Sequence, residues 1–399
     1  MKSSFPSIGE YNQLIQRKGG LAFSSLTGLT FIPSKTTPIK VFLFGSGAYA
    51  VVFKATDYNN VFAIRCFLSA ENETLNRYKS ICAYLKNCQS KWKLDCEFLE
   101  NELEFKNTLF PILKMEWMNG ILINQFISNN LTNNLFLTNL QIQLVEISND
   151  LEDKKIGHGD IQCGNIIVIG DSSNFQIKLI DYDGMFIPEF SNLKSIEKGR
   201  SEFQHPRRSV NDFNCEIDRF SFWVILTAIE AIKFDKNLWL EVMQGGFNTL
   251  DNFLFTMQDF LNPNNSLLFN RLYKLNSSTL NFYLDNLKFF CLGNISSVIK
   301  PEIFSQTSEI RNLIIPSEHL KYIPNLTIQE IAVKSGGNYK IQSNIENVTV
   351  LTSSFKKLGI TPLELEKNEF EGKTILITNG IETKRITLNS QQIELNILF

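Results

Sequence analysis

The residues best suited to chemistry lie in one stretch, Ile156-Gly157-His158-Gly159-Asp160-Ile161-Gln162-Cys163-Gly164-Asn165-Ile166-Ile167-Val168. Asp160 and Asn165 stand five positions apart, in a loop that runs into an apolar strand. A second stretch, Ile177-Lys178-Leu179-Ile180-Asp181-Tyr182-Asp183-Gly184, ends another apolar strand on an acid, 21 positions after Asp160. One carboxylate in such a loop can orient and deprotonate a hydroxyl. An Asp and an Asn from adjacent loops can meanwhile supply the hard oxygens that Mg²⁺ prefers. Phosphoryl transfer needs this set: the γ-phosphate is held beside a neutralising metal, and a separate acid stays free as the base.

Upstream segments suit the same chemistry. Phe44-Gly45-Ser46-Gly47-Ala48 precedes the strand Val51-Val52-Phe53, and small residues there let backbone N–H groups approach phosphates. Taken alone, such glycines are as readily a turn. Ala63-Ile64-Arg65 follows on the next strand, with Arg65 20 positions after Gly45. Pro111-Ile112-Leu113-Lys114-Met115-Glu116-Trp117-Met118-Asn119-Gly120 is an apolar strand ending in a polar connection.

In their order and spacing these segments resemble the protein-kinase-like superfamily, and within it a bacterial serine/threonine protein-kinase-like group with an H-G-D catalytic loop. The resemblance covers roughly residues 5 to 300. It implies Asp160 as catalytic base and Asn165 and Asp181 as metal ligands. It implies that Gly45, Ser46, Gly47, Ala48, Val52 and Ala63 enclose ATP. Arg65 stands where the family has Lys, and would bind the α- and β-phosphates with Glu73 as its partner. Met115 is the implied gatekeeper, and the backbone of Glu116 and Met118 would hold the adenine. Asp218-Arg219-Phe220-Ser221 is similar to the start of the buried helix whose Asp steadies the catalytic loop. His205-Pro206-Arg207 replaces A-P-E. Gly159 replaces the Arg of H-R-D, which argues against activation by loop phosphorylation.

Several of these residues also have plainer readings. Asp183 is a second metal ligand or a turn former. His158 is structural, bonding backbone around the loop, and His205, beside Pro206, anchors its segment. Arg207 and Arg208 are a solvated or salt-bridged pair. Trp117 packs, and Cys163 is a packed thiol.

Composition narrows the class. The chain has 399 residues with a net charge of −2, which gives two or three domains and argues against a nucleic-acid binder. Seven cysteines without a C-x-x-C pair, and three histidines, argue against a zinc site or a disulfide framework. The N-terminus shows no signal-peptide pattern. The most apolar stretch, Phe220 to Ile232, is too short for a bilayer and carries Glu230. A cytoplasmic protein without membrane contact is therefore expected.

The expected fold class is α+β: a two-lobed protein-kinase-like fold, with a β-rich N-lobe and a helical C-lobe, plus a C-terminal all-β immunoglobulin-like sandwich. Residues 1–38 are taken as an N-terminal extension, 39–118 as the N-lobe, 119–305 as the C-lobe and 306–399 as the sandwich. Asn379-Gly380 is the expected hairpin turn there. The expected function is ATP- and Mg²⁺-dependent transfer to Ser or Thr of a protein substrate or signalling partner, docked on the C-terminal domain. The alternatives are a nucleotide-binding pseudokinase scaffold and a small-molecule kinase of the aminoglycoside or choline type.

Overall fold

The structure, a computed structural model, describes residues 5–34, 41–47, 49–244, 252–304, 312–313, 338–343, 348–352, 357–366, 370, 373–378, 383–388 and 394–397. The first unit runs α1 (Ile8–Lys18), β1 (Thr30–Ile32), β2 (Leu43–Ser46), β3 (Ala50–Thr56), β4 (Val61–Phe67), α2 (Asn72–Lys86), β5 (Cys96–Phe105) and β6 (Thr108–Glu116). Its antiparallel sheet has the order β1-β3-β4-β6-β5, with β2 also on β3.

Strand alternation gives this sheet two different faces. Val51, Phe53 and Ala55 of β3, Ile64 and Cys66 of β4, and Ile112 of β6 pack into one core with Tyr11, Leu14, Ile15, Phe23 and Phe31. The opposite face carries two cross-strand rows, Val52–Arg65–Leu113 and Lys54–Ala63–Met115.

The first core corrects the boundary at residue 38. Residues 8–32 are no appendage: α1 and β1 cover the back of the sheet. Ser7 and Glu10 close the start of α1 as a reciprocal capping box, and the Tyr11 hydroxyl donates to Phe67 O at 2.7 Å.

The second unit holds β7 (Ile121–Leu122), α3 (Ile123–Asn129), α4 (Asn134–Asp153), β8 (Ile166–Gly170), β9 (Phe175–Leu179), α5 (Arg219–Phe234), α6 (Asn237–Gln244), α7 (Met257–Leu261), α8 (Leu267–Tyr273) and α9 (Ser278–Leu292). The β7-β8-β9 sheet is small, and its β8–β9 hairpin sets both acidic segments side by side. The apolar stretch Phe220 to Ile232 is buried all round, as α5 between α4 and α9. Glu230 is tolerated there because Gln141 Nε2 and Lys233 Nζ donate to it at 3.1 and 2.8 Å. Among the described residues no helix is long and apolar enough to cross a membrane.

The third unit is built of β10 (Asn312–Leu313), β11 (Asn338–Ser343), β12 (Thr349–Thr352), β13 (Lys357–Ile360), β14 (Leu363–Glu366), β15 (Thr374–Thr378), β16 (Thr383–Thr387) and β17 (Glu394–Ile397). They form two sheets, β10-β16-β15-β12-β13 and β14-β11-β17, with β11 and β17 parallel. Ile341 and Leu365 of the smaller sheet share a core with Val350, Ile375, Ile377 and Ile386 of the larger. Leu351 and Leu376 alternate out of that core and pack into the helical one. Arg385 extends the seam: its Nη1 lies 3.5 Å from Phe282 O, and its Nη2 lies 4.0 Å from the buried Asp285 carboxylate. The expected turn at Asn379-Gly380 lies outside the described residues.

Candidate active site

The acidic loop is held from below by α5. Asp218, at the head of that helix and 4% exposed, accepts from the N–H groups of His158 and Gly159 at 2.5 and 2.8 Å. Burial pushes its carboxyl pKa up, against the pull of His158, Arg208 and the two amides. His158 Nδ1 faces the Asp160 N–H at 3.4 Å, so Nε2 carries the proton and donates to Ile180 O at 3.0 Å. That bond links the loop to the end of β9. The role of Asp218 is the one the sequence suggested, and His158 bonds backbone.

Asp160 and Asn165 meet. The Asn165 amide donates to both the carboxylate and the carbonyl of Asp160, each at 2.9 Å. The other carboxylate oxygen, Oδ1, accepts from Arg200 N–H at 2.9 Å. Asn165 O in turn accepts from Ile180 N–H at 3.0 Å, which sets Asp181 beside the loop. Asp181 has φ +64°, a left-handed conformation that costs a non-glycine residue energy, and its side chain is 46% exposed. Asp160, Asn165 and Asp181 thus gather at one end of the β8–β9 hairpin.

Gly159 also has φ +84°, and a Cβ there would lie 2.2 Å from Gly184 O. The backbone of the loop packs directly on the backbone after Asp181. No side chain fits at 159, which is why the chain has glycine where an arginine was the comparison.

Arg65 reaches across from β4. Its Nη1 donates to Asp181 Oδ1 at 2.9 Å, and its two terminal nitrogens grip Asp183 in a fork, both at 2.6 Å. The pairing with Glu73 expected from the sequence is not made. Glu73 is exposed and accepts from Arg77 Nη2 at 2.8 Å, one turn along α2. What α2 offers Arg65 is the ring of Tyr78, 5.4 Å from the guanidinium carbon. Asp183 is therefore the ion-pair partner of Arg65, a role that neither of its two readings from sequence contained.

Val52, Ala63, Arg65 and Met115 share the cleft-side face of the sheet, as the cross-strand rows require. Gly45 pairs with Val52 and Ser46 with Val51, so Gly45 and Ser46 lie on the β2 edge, with Gly47 closing onto Ala50 O at 2.9 Å. Ala48 lies outside the described residues. Glu116 donates its N–H to Asp95 O at 3.0 Å and Trp117 its N–H to Val61 O at 2.8 Å. These bonds fix the strand end before Met118. Trp117 packs edge-on against Phe44, with Lys54 Nζ 4.5 Å from its ring centroid.

Three further residues stand at the site, of which Glu197 lies outside every motif. Glu197 lies against Gly184, and burial together with Asp183, Asp160 and Asp181 pushes its carboxyl up to about 7. Gln204 and Arg208 lie under the loop: Arg208 Nη1 donates to Gly159 O at 2.8 Å and to Gln204 Oε1. Arg208 is 7% exposed, so the expected solvated or salt-bridged pair is corrected: it is a buried strut on backbone. His205 Nε2 donates to Phe290 O at 2.9 Å, and its Nδ1 accepts from Arg207 N–H at 3.1 Å, anchoring the segment to α9. Its place beside Pro206 pointed to such an anchor. Cys163 is buried, without disulfide.

Among the described residues, no three or more His, Cys, Asp and Glu side chains are grouped to hold a metal ion. No family model and no curated protein matches the chain. Among solved structures the chain is similar to the kinase domain of Mycobacterium tuberculosis PknI, with 15% identity and a TM-score of 0.38 over 53% of this chain and 77% of that one.

Proposed function

We propose that the protein is an ATP- and Mg²⁺-dependent protein-kinase-like phosphotransferase that acts on Ser or Thr hydroxyls of a protein. The observation that carries this reading is the contact of Asn165 with Asp160 at 2.9 Å beside Asp181, facing a cation on the opposite sheet. Asp160, tethered on both oxygens, is the base that takes the hydroxyl proton. Arg65 binds phosphate oxygens.

The donor set fits Mg²⁺. Asp181 is half-exposed, and the Asn165 amide spends its nitrogen on Asp160, leaving Oδ1 on the other edge. An ion with two oxygen ligands from the protein, and the rest from water and triphosphate, is what Mg²⁺ accepts. When bound, it supplies charge neutralisation at the phosphates. Val52, Ala63 and Met115 form the apolar wall for the base of the nucleotide, with Gly45, Ser46 and Gly47 over its phosphates and the backbone of Glu116 and Met118 at its edge.

The C-terminal unit is read as an immunoglobulin-like sandwich that docks the protein substrate or a signalling partner. Its two sheets on one core support the sandwich part of that reading.

A pseudokinase scaffold is the second reading, favoured by one observation: Arg65 already holds an oxygen of Asp181. Transfer of ³²P from ATP to the protein itself or to a general protein substrate separates the two. A thermal shift with Mg·ATP accompanies it, and ligand at ~100 times its Kd adds about 2.7 kcal/mol. Binding without transfer to protein or small-molecule acceptors would establish the scaffold. Transfer to an aminoglycoside or choline alone would replace the protein substrate.

A further inference from the structure

The phosphate-binding cation needs a carboxylate to hold it, and the sequence offered one on α2. The structure puts it elsewhere. Asp183 meets Arg65 through two bonds of 2.6 Å, and both side chains are nearly buried, at 18% and 14% exposed. Asp181 makes one longer bond, at 2.9 Å, and is 46% exposed. Charge-assisted bonds in a two-pronged fork are the strong kind, and only a planar guanidinium can make them. On its other side Arg65 is backed by the Tyr78 ring. Glu73 is occupied elsewhere: its partner Arg77 also donates to Lys194 O at 2.7 Å, tying α2 to the segment after Gly184.

We propose that Asp183 is the residue that positions Arg65 toward the phosphates, with the Tyr78 ring as its second support, and that no carboxylate of α2 takes part. The arginine at 65 and the acid at 183 then form one unit, since a lysine ammonium could not fill the fork. The pair spans the sheet and the loop after β9. The cation's place is set by the carboxylate on the floor of the site and by the Tyr78 ring, and not by a carboxylate of α2. This rests on the phosphotransferase reading.

The test uses the full chain and two ligands, Mg·ATP and adenosine, with Kd measured by calorimetry and Tm in parallel. Asp183→Asn should weaken Mg·ATP by about tenfold or more while adenosine stays within about twofold, because only the phosphates meet Arg65. Asp183→Glu should recover part of the loss. Tyr78→Phe should behave as wild type, and Tyr78→Leu should not. Glu73→Gln should leave both ligands within about twofold. Arg65→Lys with Asp183→Asn should be no worse than either alone, because residues acting as a unit are not additive.

A purely structural Asp183 would lower Tm and weaken both ligands together, which would overturn the proposal. So would a Glu73→Gln loss as large as that of Asp183→Asn. A wild type that binds neither ligand would sink the phosphotransferase reading instead, and with it the positioning role. The Arg65–Asp183 unit would then be judged on Tm alone, where additive shifts refute it.

Discussion

Asp218 holds the Gly159 amide at 2.8 Å, one residue before the proposed base, and the His158 amide beside it. A single buried carboxylate thus holds the backbone that leads into Asp160. Asp218→Ala leaves two buried N–H groups without an acceptor, which costs about 2–6 kcal/mol at about 1–3 kcal/mol per group. Asp218→Asn keeps one acceptor oxygen and should cost less. Urea denaturation measures both, and phosphotransfer should fall in each case more than Mg·ATP affinity does.

Removing the base and removing the metal ligand should differ in kind. Asp160→Ala should lower phosphotransfer by ~10²- to 10⁴-fold with Mg·ATP binding nearly intact. Asp181→Ala should lose both. Calorimetry beside a ³²P assay distinguishes them, and equal losses of binding in the two variants would contradict the assigned roles.

His205 gives an acid limb to stability. Burial lowers its pKa from 6.5 to about 4, and protonation would set a second N–H against the Arg207 amide. The unfolded chain takes up the proton first, so stability is lost as pH falls from 6.5 toward 4. The loss is about 3 kcal/mol at 1.36 kcal/mol per pKa unit. His205→Asn should remove that component: the difference between wild type and variant in urea midpoint should change between pH 7 and pH 4.5.

Glu197 works with the opposite sign. Its carboxyl rises from 4.5 to about 7, by burial first and then by Asp183, Asp160 and Asp181. Its protonation favours the folded state, so this contribution is full below pH 4.5 and is lost as pH rises through 7. Glu197→Gln should therefore stabilise the protein at pH 8 by about 2–3 kcal/mol and do little at pH 4.5. Denaturation curves at the two values check it.

Restoring an H-R-D loop should fail. At φ +84°, and with Gly184 O only 2.2 Å from a built Cβ, Gly159→Arg must displace backbone on one side or the other. Gly159→Ala meets the same atom. Both should lower Tm by several degrees, and neither should raise activity.

What was legible in the sequence follows from where short-range patterns decide the outcome. β3 and β4 are short apolar runs rich in valine and phenylalanine beside turn residues, and α5 is apolar on nearly every side, so all three could be read directly. The gathering of Asp160, Asn165 and Asp181 could be read because they stand at fixed spacing beside two apolar strands that pair as a hairpin. β5 was harder. Its Glu97, Glu100, Glu102 and Glu104 disguise a strand, although Lys106 and Asn107, both at positive φ, make a two-residue hairpin turn. α1 carried a signal that went unused, the capping pair Ser7 and Glu10. The Arg65–Asp183 fork could not be read at all. It joins residues 118 positions apart, and nothing local tells an acid that grips an arginine from one that turns a loop.

Leu351 and Leu376 lie in the helical core, and Arg385 reaches Phe282 and Asp285 on α9. A chain cut after residue 304 would bare that apolar ground and take a cation away from a carboxylate that stays inside. The first two units are then best handled with their tail attached. A shortened version that precipitates would be reporting on this seam, and would say nothing about phosphate chemistry.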